Sequence, residues 1–181
     1  IRCAFWWILL LFLSRKSPLL QIQFWLMLLS VCLQVTVLAM IQDIAPHRLD
    51  RRYDTRPAAD GDIALCYQKG TVLLEVVGED YALPRFGKQL PISDARHLFE
   101  LDGDDCFMVT DPPAEAPEGC RYVPYMELRA VRPQEVAFAA ITGAQLHRWY
   151  GSRKFCGRCG QKMQPSDIER AMVCPDCGLI E

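Results

Sequence analysis

Phe155-Cys156-Gly157-Arg158-Cys159-Gly160 and, with 14 residues between Cys159 and Cys174, Cys174-Pro175-Asp176-Cys177-Gly178 decide how this 181-residue chain reads. Each stretch is a Cys-x-x-Cys knuckle closed by a glycine. Two thiolates three positions apart on a tight turn can reach one ion at ~2.3 Å, and the glycine permits the reversed backbone that follows. Two such corners complete a tetrahedron, so Cys156, Cys159, Cys174 and Cys177 are the expected metal ligands. Four sulfurs leave no position for water, which makes the expected role structural.

Spacing alone does not choose the metal. Zinc suits four thiolates, and so does iron, because rubredoxin-like centres use similar paired knuckles and would make this an electron-transfer protein. A disulfide framework fits poorly, since five further cysteines would need partners. Of those, Cys66 and Cys106 lie in apolar runs and read as small buried hydrophobes, and Cys120 sits at a loop end. The histidines His47, His97 and His147 are scattered and read as surface or core residues. No Ser/His/Asp order and no glycine-rich phosphate loop is present.

On the N-terminal side of the knuckles, apolar residues recur at helical spacing over 136–150. Pro133 suits the first turn and Gly151 the stop. Farther back the period shortens. Residues 63–68 (IALCYQ) and 71–77 (TVLLEVV) flank Lys69-Gly70 and predict a hairpin. Residues 97–101 and 106–110 flank Asp102-Gly103-Asp104-Asp105 and predict a second. Residues 111–119 are a loop on composition, and 122–128 predict a strand edged by Pro124. The expected fold class is α+β: a β-rich N-terminal domain over 40–132, a connecting helix over 133–151 and a four-cysteine zinc ribbon over 152–181.

Residues 1–39 differ in texture. Their only charges are Arg2, Arg15 and Lys16, and an uncharged run over 19–41 could span ~30 Å of hydrocarbon. A transmembrane anchor, a signal peptide ending near Val37-Leu38-Ala39, and translation from upstream of a true start at Met40 compete. The chain begins with Ile1, and the third reading is preferred. Subtracting the leader's three charges leaves 17 basic against 22 acidic residues, a net −5 over 40–181. That balance argues against a protein held to nucleic acid mainly by phosphate contacts. A local basic run, Arg148, Arg153, Lys154, Arg158 and Lys162, keeps open a ribbon that binds nucleic acid or docks a protein.

Residues 149–178, from Trp149-Tyr150-Gly151 through both knuckles with Glu169-Arg170-Ala171-Met172-Val173 between them, resemble the zinc ribbon of bacterial NADH pyrophosphatases. Those NAD diphosphatases belong to the Nudix hydrolase superfamily, and members remove NAD caps from RNA. The resemblance covers roughly 40–181; it is specific at the ribbon and diffuse before it, where Leu83-Pro84-Arg85 is compatible with the family's N-terminal domain. It implies structural Zn²⁺, NAD(H) or NAD-capped RNA as the parent's substrate, a homodimeric parent and a cytoplasmic location, membrane-anchored only if the leader is genuine. It also implies a catalytic domain after the ribbon whose glutamates hold Mg²⁺ or Mn²⁺. No Nudix box occurs in the 181 residues, so no catalytic residue is assigned and the chain reads as the front part of such an enzyme. By the same resemblance Glu169 matches a nucleotide-contacting glutamate, while Arg85 and Arg129 fall where the family uses a basic residue near the substrate. Solvated charges are the plain alternative for all three.

Overall fold

Two tight turns set the strand pairing. Lys69 and Gly70 have φ of 46° and 80°, and Asp102 and Gly103 have 54° and 89°. Successive positive φ values give the turn whose twist matches a two-residue hairpin, and glycine supplies the second at no steric cost. The computed structural model of the protein describes residues 40–181, and the expectations for the leader lie outside them.

The first turn joins β3 (Tyr67–Gln68) to β4 (Thr71–Val77). The second joins β6 (Ala95–Leu101) to β7 (Asp104–Val109). One sheet runs β1 (Leu49–Asp50), β6, β7, β2 (Ile63–Leu65), with only the β2–β7 pair parallel. The other is built on β4: β8 (Cys120–Pro124) lies along one edge, and the other edge is shared by β3 and β5 (Asp80–Ala82).

Residues 63–68 are therefore two short strands in different sheets, not one. Every residue from Ile63 to Tyr67 is buried, so no alternation of exposure marks the crossing at Cys66. The strand expected over 122–128 starts at Cys120 and stops at Pro124, and Tyr125–Ala130 coil into a 3₁₀ helix. The helix α1 (Gln134–Ser152) is capped by Pro133 and runs through Gly151 to a C-cap at Arg153. Gly151 keeps helical geometry because the end is fastened later: Ser152 Oγ donates to the Trp149 carbonyl, and Arg153 lies over the Trp149 ring.

Both faces of the strands are covered, and alternation decides which residue goes where. Leu65, Tyr67, Val72, Leu74, Cys106 and Met108 face the core shared with α1. Their neighbours Ala64, Cys66, Leu73 and Phe107 join Phe86 and Val109 in a smaller core opposite. The helix meets the strands through small residues, Ala137, Ala139, Ala140, Gly143 and Ala144. Tyr67 Oη donates to the Ala140 carbonyl at 3.0 Å, and a Cβ on Gly143 would lie 2.1 Å from the Tyr67 hydroxyl oxygen.

A polar network pins the segment before β2. The Arg56 guanidinium grips Asp62 through two contacts of 2.8 Å and also bonds Asp105, which pairs with His97 Nε2 at 2.8 Å. His97 is fully buried, the outcome expected of a core histidine. After α1, β9 (Gln164–Pro165) and β10 (Met172–Val173) pair antiparallel between the knuckles. Among the described residues no helix is long and apolar enough to cross a membrane.

Candidate metal centre

The two knuckles fold alike because each is closed by the same hydrogen bonds. Gly160 N–H donates to the Cys156 carbonyl at 2.9 Å, and Gly178 N–H to that of Cys174 at 3.1 Å. The N–H of each leading cysteine bonds the carbonyl five residues on, Cys156 to Gln161 at 2.7 Å and Cys174 to Leu179 at 2.8 Å. Gly160 and Gly178 take φ of 78° and 70°, a backbone that a side chain would strain. The repeat extends outward, since Phe155 bridges Lys162 as Val173 bridges Ile180.

This closure turns four sulfurs toward one point. All lie within 4.8 Å of one another, with Cys156 Sγ 3.5 Å from Cys177 Sγ and Cys159 Sγ 3.4 Å from Cys174 Sγ. A tetrahedron of thiolates at ~2.3 Å from an ion has edges of roughly 3.8 Å, so the set fits a single four-coordinate metal. Backbone N–H groups prepare the leading sulfurs. The N–H groups of Cys159 and Arg158 draw the Cys156 thiol down to about 6, and those of Cys177 and Asp176 lower Cys174. A thiolate is the form that binds metal. Cys156 and Cys174 are buried with Met163 and Met172, whereas Cys159 is exposed and Cys177 half-buried. One side of the centre thus faces the core and the other the solvent.

The residues assigned by resemblance stand on three different elements. Glu169 is exposed in the turn between β9 and β10, held by its N–H to Ser166 Oγ. Arg85 follows β5, bonds the Gly61 carbonyl at 2.7 Å and pairs with Asp104. Arg129 is exposed on the 3₁₀ helix. Of the basic run, Arg153 is spent on Glu181 at 3.3 Å and on the Trp149 ring, while Arg148, Lys154, Arg158 and Lys162 are exposed.

The contacts that seat the ribbon on the β-rich part had no signal in spacing or composition. Tyr53 Oη donates to the Ser166 carbonyl, and the Arg170 guanidinium donates to the carbonyls of Leu98 and Arg52. Main-chain acceptors leave no mark on a sequence. The residues at the seam, Tyr150, Cys156, Met163, Met172 and Cys174, continue the main core.

An α+β protein whose β-rich part and long helix α1 lead into a closed four-thiolate ribbon is the class defined by this fold and site. Residues 152–181 match the family described as the NADH pyrophosphatase zinc ribbon domain, which selects zinc over iron for the centre. The chain is 32% identical over 123 residues to the NAD-capped RNA hydrolase NudC of Deinococcus radiodurans, covering 68% of this chain and 42% of that one. It is 30% identical over 92 residues to the protein of that name in Stutzerimonas stutzeri, covering 50% and 33%. Against the one from Citrobacter koseri it is 44% identical over 52 residues, covering 28% and 20%. The chain is therefore similar to the N-terminal and zinc-ribbon part of these hydrolases, and it spans less than half the length of each.

Proposed function

We propose that this chain supplies the N-terminal and zinc-ribbon part of a cytoplasmic, homodimeric NAD(H) pyrophosphatase that acts on NADH, NAD and NAD-capped RNA, releasing AMP and NMN(H). The carrying observation is the match of residues 152–181 to the NADH pyrophosphatase ribbon, on four sulfurs that converge as a zinc site requires. Bound zinc supplies no reaction here. It fixes the two knuckles relative to each other and so holds the Glu169 turn beside them. Glu169 is retained as a substrate contact: its carboxylate is exposed and forms no ion pair among the described residues.

Pyrophosphate hydrolysis needs metal ions to neutralise developing charge and a group that orients water. A centre saturated by four thiolates offers neither, so Mg²⁺ or Mn²⁺ belongs to a Nudix domain that these 181 residues do not contain. The 181-residue chain, incubated with NADH and Mn²⁺, is expected to release no AMP above a buffer control. The product of the whole gene, from its own start to its own stop, is expected to release AMP and NMNH. Hydrolysis by the 181 residues, or none by the whole product, overturns the reading.

A further inference from the structure

A cavity of about 1130 Å³ opens between the 3₁₀ helix, α1 and the segment entering β1. Its floor is apolar: Ile44 and Leu128 are buried, and Phe138 and Ile141 half-buried. Its rim carries Arg48, Arg51 and Arg129, all exposed. No aspartate or glutamate lines it, and none of the three guanidiniums forms an ion pair with a carboxylate among the described residues. His47, which also lines the cavity, is engaged by Asp102 and Glu135.

This inverts the charge of its surroundings, because acids outnumber bases by 22 to 17 over residues 40–181. Three like charges around one concavity raise the local potential and draw in an anion. Arginine's planar fork suits phosphate oxygens in particular, through paired N–H donors. The floor requires more than a bare anion, since a ligand of phosphates alone would leave it wet. A fatty acid covers the floor but brings one charge to three guanidiniums and nothing for Gln42, Thr142 and Gln145, which also line the cavity. A planar heterocycle with ring nitrogens and an amino group uses those amides and the hydroxyl, and its faces suit Phe138 and Ile141.

We propose that this cavity binds a nucleoside diphosphate, its base against Phe138 and Ile141 and its phosphates against Arg48, Arg51 and Arg129. The site is remote in sequence from the ribbon and involves no bond-breaking step; Arg129 is common to it and to the substrate contacts implied by the resemblance, whereas Arg48, Arg51 and the apolar floor belong to the cavity alone. Calorimetric titration of the zinc-loaded chain with ADP, adenosine, pyrophosphate and laurate tests it. ADP is expected to bind saturably, about tenfold or more tighter than each of the other three. The double variant R51A/R129A, with zinc content and melting temperature checked as unchanged, is expected to weaken ADP by at least about tenfold. The charge reversal R51E/R129E should abolish it. No saturable ADP binding at millimolar concentration, equal binding by the double variant, or laurate binding more tightly than ADP would each overturn the proposal. An inactive whole-gene product would leave it standing.

Discussion

At the scale of single residues, Cys156 and His47 give the sharpest expectations. Cys156 is both a ligand and a buried member of the core, accepting a backbone N–H from Arg158 at 3.4 Å. Serine at this position keeps the size but offers zinc a harder, far less acidic donor. Cys156→Ser, or a strong chelator, is expected to unfold residues 153–178, read as loss of dispersed ribbon amides in a nitrogen-correlated NMR spectrum. A ribbon that keeps those signals without metal would count against a structural zinc. His47 makes a different kind of link, with Nδ1 2.7 Å from Asp102 Oδ2 and Nε2 3.6 Å from Glu135 Oε1. The hydrogen bond to Asp102 raises the His47 pKa against partial desolvation, while the Arg48 N–H and then His47 lower that of Asp102. A raised histidine adds stability that is complete below its unfolded value and fades as pH rises through the folded one. A lowered carboxylate adds stability above its unfolded value that fades as pH falls through the folded one. The link is thus strongest between the carboxylate range and about pH 6.5. Between about pH 6 and 8, His47→Ala should flatten the fall of denaturation midpoint with pH; an unchanged slope would show the pairing contributes nothing.

At the scale of elements, α1 carries a prediction that runs against propensity. Glycine inside a helix costs about 1 kcal/mol relative to alanine, so Gly143→Ala should stabilise an exposed helix. Here the added methyl would meet Tyr67 Oη at 2.1 Å and Leu65 Cδ1 at 2.9 Å. Tyr67 cannot retreat freely, because its hydroxyl bonds the Ala140 carbonyl and its ring stacks on His147 at 5.3 Å. Overpacking costs typically 1–3 kcal/mol, so G143A is expected to lower the stability by about that amount in urea unfolding. A gain would show that helix and sheet can move apart. Gly143 also marks how far the sequence could be read. Its helix was legible from the apolar period, and both hairpins from turn residues whose backbone conformation few others adopt. The close helix–strand contact was not, since an alanine- and glycine-rich face looks the same whether it meets a sheet, another helix or water. The split of residues 63–68 was hidden for a related reason: a run buried on both faces has no period to betray a change of sheet. The knuckles were the most legible element because their ligands, turns and glycines are fixed by local chemistry within a few residues.

At the scale of the whole molecule, the question is what holds the ribbon to the β-rich part. The apolar seam is continuous, with Tyr150, Met163 and Met172 packed into the core that contains Leu98 and Val131. Across it, Arg96 lies over the Tyr150 ring at 4.2 Å, Tyr53 reaches the Ser166 carbonyl and Arg170 reaches Leu98 and Arg52. Arg170 is the polar anchor because its acceptors are two main-chain carbonyls on separate segments, and one of them lies within β6. Removing it leaves a buried carbonyl at Leu98 without that donor, a loss of about 1–3 kcal/mol. At roughly 2–4 °C per kcal/mol for a chain of this size, Arg170→Ala should lower the melting temperature by several degrees. The zinc ligands all lie within residues 156–177, so zinc stoichiometry should stay unchanged while amide exchange quickens across residues 164–173 and around Leu98. That pattern separates docking from ligation: C156S loses the metal first, whereas R170A loosens a loaded ribbon from its seat. Loss of zinc from R170A, or exchange rates identical to those of the parent chain, would show that the ribbon's attachment does not depend on this guanidinium.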